Sequence, residues 1–391
     1  MISLEAAQSL LLSMAVPMPL EHVALVEAHG RWLGEPLVAR RYQPWADLSS
    51  MDGYALAPGI GPWHISHPIP AQSRNAGTLV AGQAARIFTG APLPMGADRI
   101  LAQEDAVVSG TALSAKIVPQ IGEHIRRAAS DFAQGEMLAS KGTRVSTALV
   151  ALAALAGHGQ LTVHRRPEMT IVSTGSELIH PGSDDVGLPS SNGPMLLSMA
   201  IAAGATVKDG GIFPDNLREI QLAIEEFQQS SSHGSILVFS GGASVGDHDL
   251  VVPALEASGW TICAHKISMK PGKPLIIARK ADLLALGLPG NPVSAYVTAT
   301  LFLLPYLRAI AGCPNPLPRL DTAPLATPLS AGGTRTEFLR GQRHSDGSVS
   351  ALPSQDSAGL KSLAAADILI RREIAALPQD IGAIATFITI A

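Results

Sequence analysis

Between Met169 and Ile310 the chain repeats one pattern: a short apolar run, a loop of small residues, then a helix-length segment. Met169 to Val172 runs into Ser173-Thr174-Gly175-Ser176-Glu177, Ser235 to Phe239 into Ser240-Gly241-Gly242, and Leu283 to Leu286 into Leu288-Pro289-Gly290-Asn291-Pro292. A further run, Ala205 to Val207, leads to Ile212-Phe213-Pro214-Asp215, and helices are expected over Met195 to Ala203, Leu217 to Phe227 and from Pro292 to about Ile310. Strands alternating with helices of this length specify a mostly parallel sheet covered on both faces. In open sheets of this kind ligands sit beyond the carboxyl ends of the strands. Small-residue loops there expose backbone N–H groups at helix starts, which suits phosphate.

The flanking sequence has other rhythms. Ser3 caps an expected helix through Leu4, Ala7, Leu10, Leu11 and Met14, ended by Pro17 and Pro19. From about Val38 to Gly142, short runs such as Leu79-Val80-Ala81-Gly82 and Arg86-Ile87-Phe88-Thr89-Gly90 are cut by Gly and Pro, which predicts a β-rich insert domain, 38–142. Helix returns at Ser146 to Ala156. The two helical parts, 1–37 and 143–166, are expected to pack together as one discontinuous linker domain. The α/β domain covers 167–315. Beyond Pro316-Leu317-Pro318, turn signals at Gly332-Gly333 and Asp346-Gly347 separate runs such as Ile368-Leu369-Ile370, predicting a small barrel-like β domain, 316–391. The fold class is multidomain α/β plus β.

Composition narrows the function. Only 15% of the 391 residues are charged and the net charge is -4, so no global field draws nucleic acid or acidic lipid, and an anion site must be local. Two cysteines, Cys263 and Cys313, are too few for a disulfide scaffold or a thiolate zinc site. The N-terminus lacks a basic leader, and the apolar stretch around Val297 to Leu307 is short for a bilayer and interrupted by Pro305 and Arg308, so the expectation is a cytoplasmic protein without a membrane span.

A local anion site is offered by Lys266-Ile267-Ser268-Met269-Lys270-Pro271-Gly272-Lys273-Pro274. If the first part is extended, a period of two sends Lys266, Ser268 and Lys270 to one face, where ammonium groups can hold a tetrahedral anion. A solvated lysine strand is the alternative. Acidic candidates sit beside small residues: Asp52, Asp131, Glu177, Asp215, Asp247 and Asp249. Carboxylates near polyphosphate suggest a hard cation such as Mg²⁺; turn or cap duty is the competing role for each. Thr89 lies in a stiff loop that can position an oxyanion, and Arg126-Arg127 is either an anion clamp or a surface pair. There is no His-Glu-x-x-His motif and no Walker A loop.

Taken in order, Ser50-Met51-Asp52-Gly53-Tyr54-Ala55, Thr89-Gly90-Ala91-Pro92, Ile125-Arg126-Arg127 with Asp131, Ser173-Thr174-Gly175-Ser176-Glu177-Leu178, Ser240 to Gly246, Lys270-Pro271-Gly272-Lys273-Pro274 and Leu288-Pro289-Gly290-Asn291-Pro292 span nearly the whole chain. This set closely resembles the MoeA family, the molybdopterin molybdenumtransferases of molybdenum cofactor synthesis.

The resemblance implies a homodimer of four-domain subunits with a molybdopterin-binding-like α/β domain. It implies insertion of molybdenum, from molybdate, into adenylylated molybdopterin with release of AMP, assisted by Mg²⁺. Carried over by motif, Glu177, Asp215 and Asp249 are the metal-holding acids, and Lys266 and Lys270 the basic residues. Ser173, Thr174, Gly175, Ser240, Gly241, Gly242, Ser244, Lys273, Pro289, Gly290, Asn291 and Pro292 line the ligand site. Asp52, Thr89 and Asp131 match functional positions of the β-rich part, which in this family faces the partner subunit's α/β domain, so the active site lies at the subunit interface. A molybdopterin adenylyltransferase and molybdoenzyme chaperones are the implied protein partners.

The chain departs from the family pattern in places. Ala129-Ser130 stands where Gly-Glu is common, Leu48 replaces a frequent Asn, Ala243 a common Val, and Asp215-Asn216 sits where relatives often have two acids. Three other readings compete: an ATP-dependent adenylyltransferase, which usually lacks the insert and terminal β domains; a noncatalytic pterin carrier or scaffold; and tungstate in place of molybdate.

Overall fold

The computed structural model describes residues 1–71, 75–242 and 250–390. The chain divides into two compact units: Met1–Glu21, Gly30–Gly34 and Val163–Ala391 form one, His22–His29 and Glu35–Thr162 the other.

In the first unit the alternation of strand and helix produces a six-stranded sheet. Its strands run in the order Thr206–Phe213, Glu168–Thr174, Ile236–Ser240, Leu283–Leu288, Ile276–Lys280, Thr261–His265. The first four are parallel; the last two are added antiparallel. The central Ile236–Ser240 strand is buried along its whole length, as expected for a strand covered on both faces. One face packs Ile220, Ile224, Phe227, Val251 and Leu255 against Leu237 and Phe239, and the other packs Leu196, Val297, Phe302 and Leu307 against Ile171, Val238 and Leu286.

The helix expected from Met195 begins earlier, at Asn192, and runs to Ala202. Pro292–Ile310 is helical throughout, with a π segment at Ala299–Leu303. Among the described residues it is the one helix of length and apolarity suited to a membrane, yet 78% of its most apolar window is buried in the fold.

The Ser3-capped helix, Leu4–Ser13, buries Leu4, Ala7 and Leu11 in this same core. The Ser146-capped helix, Thr147–Leu155, belongs to the other unit and packs there on Leu25–Ala28. The apolar face of Leu4–Ser13 packs on the Pro292–Ile310 helix, while the two sequence-distant parts of the helical segment meet through Leu25–Ala28 against Thr147–Leu155 and through the pairing of Leu20–Ala24 with Gln160–His164.

The C-terminal strands form a second sheet in the first unit, in the order Met269–Lys270, Thr336–Arg343, Ile368–Arg372, Ile384–Thr389, Asp321–Pro324. Val349–Ala351 pairs with Thr336–Arg343, and Val349 also bridges to Leu325, which curls the sheet around Leu329, Ile368, Ile370 and Phe387 in the barrel-like manner expected. Its other apolar residues, Phe338, Leu369 and Ile388, share a core with the α/β helices.

The second unit is β-rich, as the punctuation by Gly and Pro predicts. Its six strands run Arg99–Ala102, Gly53–Leu56, Gln83–Ile87, Trp63–Ile65, Ala112–Ala115, Ala106–Ser109. Trp63 is fully buried there and donates its indole N–H to the Ala57 carbonyl at 3.0 Å, satisfying a polar atom that would otherwise be stranded.

Candidate functional site

Four strand ends converge on one cavity of about 580 Å³. The Glu168–Thr174 strand delivers Ser173, Thr174, Gly175 and Glu177; Ile236–Ser240 delivers Ser240, Gly241 and Gly242; Leu283–Leu288 delivers Pro289, Gly290, Asn291 and Pro292; Asp215 follows the Thr206–Phe213 strand. The parallel register places Ser173 beside Ser240 and Ser240 beside Leu288, so the loops leave the sheet at one level.

The glycines meet specific backbone demands. Gly241 has φ +99°, and a Cβ there would lie 2.3 Å from the Thr174 carbonyl oxygen. Gly175 has φ +153°, and a Cβ would lie 2.8 Å from both carboxylate oxygens of Glu177, which therefore folds over this glycine.

Asp215 and Ser176 hold each other. The Ser176 N–H donates to Asp215 Oδ2 at 3.3 Å, and the Asp215 N–H donates to Ser176 Oγ at 3.0 Å. Asn216 accepts from the N–H groups of Arg218 and Glu219 and caps the Leu217–Ser230 helix. The residue that departs from a two-acid pattern is thus used as an N-cap, a task asparagine performs without charge. Two buried polar atoms in the wall, Thr174 Oγ1 and Asn192 Oδ1, have no hydrogen-bond partner among the described residues.

A second cavity of about 330 Å³ shares Pro274 and Ser294 with the first. It holds Lys270, Lys273 and Arg335 together with Ser357 and Glu337. Its construction depends on a long-range pairing: Met269–Lys270 lies parallel to Thr336–Arg343, with Lys270 opposite Glu337. Lys270 Nζ donates to Glu337 Oε1 at 3.0 Å, and Arg335 donates to the Met269 carbonyl at 3.2 Å.

The expected alternation is present in burial, with Ile267 and Met269 inside and Lys266, Ser268 and Lys270 less covered. The segment is not one strand, however: Lys266 has φ +70°, Ile267 makes only an isolated bridge with Ile2, the strand proper is Met269–Lys270, and Lys266 lines neither cavity. A residue in the left-handed region cannot continue a pleat, which is why period-two reasoning stops there.

Arg335, Glu337, Ser294, Ser357 and Asn192 were not reached by sequence reasoning. The Gly332-Gly333 turn ahead of Arg335 is the only local signal for any of them. Asp249 and Ser244, as well as Ala243 and Asp247, lie outside the described residues.

The remaining candidates are in the β-rich unit. Asp52 Oδ1 accepts from the Thr89 N–H at 2.7 Å and from the Thr89 hydroxyl at 2.8 Å. The backbone hydrogen bond from Thr89, then its hydroxyl, hold the Asp52 carboxyl below the usual aspartate range. A folded pKa below the unfolded value means that this pairing is intact above about pH 4 and is lost as pH falls further. Thr89→Val is therefore expected to move the Asp52 titration upward, as followed by carboxyl chemical shifts; an unchanged titration contradicts the pairing.

Thr89 spends its hydroxyl proton on Asp52. Arg86 stacks on Tyr54 and Phe88 at 5.1 and 5.2 Å nearby. Arg127 is taken by Asp47 at 2.6 Å, which favours the structural role for that arginine. Asp131 is exposed, and its N–H donates to Gln43. Ala129, in the position where Gly is common, has φ +58°.

A loop-lined α/β cavity, a basic cavity beside it and an added β-rich unit define a multidomain α/β protein with an anion-binding type of site. The sequence matches three family profiles in order: "MoeA N-terminal region (domain I and II)" over residues 2–157, "Probable molybdopterin binding domain" over 170–309 and "MoeA C-terminal region (domain IV)" over 322–375. It is 33% identical to the molybdopterin molybdenumtransferase of Synechococcus elongatus, across 93% of each chain. It is 31% identical to that of Bacillus subtilis, across 90% of this chain and 85% of the other. The fold matches the crystal structure of the molybdopterin biosynthesis MoeA protein of Pyrococcus horikoshii with a TM-score of 0.83, at 22% identity over the full length of both chains. The chain belongs to the MoeA family of molybdopterin molybdenumtransferases and is an enzyme of molybdenum insertion.

Proposed function

We propose that the chain binds adenylylated molybdopterin in the larger cavity and molybdate in the smaller one, places the metal at the dithiolene sulfurs and releases AMP. The observation that carries this reading is the shared wall: a phosphate-type cradle of strand-end loops adjoins a pocket holding two lysines and an arginine. N–H groups at the loop ends suit the pyrophosphate. Lys270, Lys273 and Arg335 offset the two charges of the oxyanion, with the Ser294 and Ser357 hydroxyls as neutral donors. Glu337 keeps Lys270 beside this pocket through their 3.0 Å contact.

The donor set fits Mg²⁺ shared with substrate. Glu177 and Asp215 both line the larger cavity, and Mg²⁺ is commonly held by one or two carboxylates with the remaining positions left to phosphate and water. No cluster of three or more metal-ligating side chains occurs among the described residues, so a cage built from protein alone is not part of this proposal. When bound, the ion offsets negative charge on the pyrophosphate. Asp249 is proposed as a further ligand on the family resemblance.

The reading includes a cytoplasmic homodimer in which Asp52, Thr89 and Asp131 serve the partner subunit's α/β domain. It also includes exchange with a molybdopterin adenylyltransferase and a molybdoenzyme chaperone. Support comes from the family motifs that these residues match.

The direct test is incubation of the purified protein with adenylylated molybdopterin, Mg²⁺ and molybdate, measuring AMP and pterin-bound metal. Both products are expected, and both should depend on molybdate. Tight binding without either product would place the chain with the carriers. Lys270→Ala should lower molybdate-dependent turnover roughly tenfold to a hundredfold, the value of one charge-assisted contact, while leaving pterin-nucleotide affinity nearly intact. Equal losses in both would remove Lys270 from the oxyanion pocket.

A further inference from the structure

The larger cavity has a second, apolar end that phosphate does not explain. Leu178 and Leu188 are register partners in a two-stranded parallel pair, so their side chains leave the same face, and both line the cavity. Leu188 is 58% exposed and Leu360, which also lines the cavity, is 38% exposed. Large apolar side chains left open inside a concave site are a feature of surfaces completed by a ligand.

Leu360 comes from the C-terminal sheet domain, and its position is fixed from several directions. The loop before it is tied to the start of the Pro292–Thr298 helix: Asn291 Nδ2 donates to Ser357 Oγ at 3.0 Å, and the Val293 N–H donates to the Ser357 carbonyl at 3.1 Å. Arg340 binds the same loop through the carbonyls of Ser354, Asp356 and Gly359.

A hydrogen-bonding function accompanies this apolar end. Asn192 donates from Nδ2 to the Gly290 carbonyl at 2.7 Å, which fixes the amide and leaves Oδ1 as a buried acceptor without a partner among the described residues. Thr174, 3% exposed, has an Oγ1 in the same wall with no partner among the described residues. A ligand that supplies N–H donors removes the cost of these two groups.

We propose that Leu178, Leu188 and Leu360 form a stacking subsite for a flat nitrogen heterocycle with amine donors, and that Asn192 Oδ1 and Thr174 Oγ1 read its polar atoms. This rests on the reading above, in which the substrate carries two such rings, the pterin and the adenine. The C-terminal domain thereby contributes to substrate recognition through Leu360, in addition to its pairing with the lysine segment.

The test measures the affinities of 5′-AMP, adenylylated molybdopterin and molybdate for wild type, Leu188→Ser, Leu360→Ser, the double variant and Leu188→Met. Each serine variant should weaken ring-bearing ligands about tenfold and leave molybdate unchanged, with Leu188→Met near wild type. The double variant should lose less than the product of the single losses, because both side chains contact one ring. Weakened 5′-AMP assigns the subsite to adenine; weakened adenylylated molybdopterin with unchanged 5′-AMP assigns it to the pterin. Wild-type affinity for both in the serine variants overturns the proposal. Failure of wild type itself to bind adenylylated molybdopterin overturns the functional reading instead.

Discussion

Arg340→Met is expected to destabilise the protein by about 3 kcal/mol or more and, at temperatures where it stays folded, to weaken molybdate binding. Arg340 is 1% exposed, an unusual place for a charged side chain. Its guanidinium donates to the Asp356 carbonyl at 2.8 Å, the Gly359 carbonyl at 3.3 Å and the Ser354 carbonyl at 2.9 Å. Burial pulls its pKa below the ordinary arginine value, but arginine remains a cation in proteins.

Methionine fills much of the volume while leaving three carbonyls without donors, and unmade hydrogen bonds are costlier than absent ones. Gln355 reinforces the same loop by exchanging hydrogen bonds with the Arg340 backbone N–H and carbonyl, each at 3.0 Å. The loop delivers Ser357 to the smaller cavity and Leu360 to the larger one, so losing its anchor should reach both. Arg340→Lys should recover only part of the stability, since an ammonium cannot reproduce the planar fork. Urea unfolding and molybdate titration of the two variants check this. Wild-type stability in Arg340→Met would show that the carbonyls find other donors.

The unequal legibility of the site follows from how far apart its parts are in sequence. Ser173-Thr174-Gly175, Ser240-Gly241-Gly242 and Pro289-Gly290 can be read directly because each reports a demand made by its own backbone, such as the φ of +99° at Gly241. The core strands are readable for the same local reason. Arg335, Glu337 and Ser357 cannot be found this way. Lys270 and Glu337 are 67 positions apart and meet only because a two-residue strand pairs in parallel with the C-terminal sheet.

Nothing in the composition near Met269 announces that pairing, since two residues carry no period. The helix Leu4–Ser13 shows a related limit. Its cap and apolar face are legible, but which core accepts that face is decided by surface complementarity far along the chain, at Phe302 and Leu307. The Asp52–Thr89 link lies between these cases: both residues stand out in glycine-flanked loops, while their hydrogen bonds depend on the antiparallel pairing of Gly53–Leu56 with Gln83–Ile87.

Mixing two inactive variants should restore activity if the proposed dimer shares its sites between subunits. Asp52→Ala alters the β-rich unit, and Glu177→Gln alters the larger cavity of the other unit. In a two-fold dimer whose sites combine the β-rich unit of one subunit with the α/β domain of the other, each pure variant carries a lesion in both sites. A mixed dimer places both lesions in one site and leaves the other intact. Random exchange of equal amounts makes half the dimers mixed, so activity should return to about a quarter of wild type. Sites built within one subunit give no intact site in any mixture, and activity stays at the level of the pure variants. The readout is AMP release after equilibration of the mixed proteins, with exchange verified by recovery of dimers carrying two different affinity tags. A quarter recovery assigns Asp52 and Glu177 to one composite site; verified mixed dimers without recovery place both residues in the same subunit's site. Either result is independent of how strongly each single variant binds substrate, because the intact site in the mixed dimer contains neither substitution.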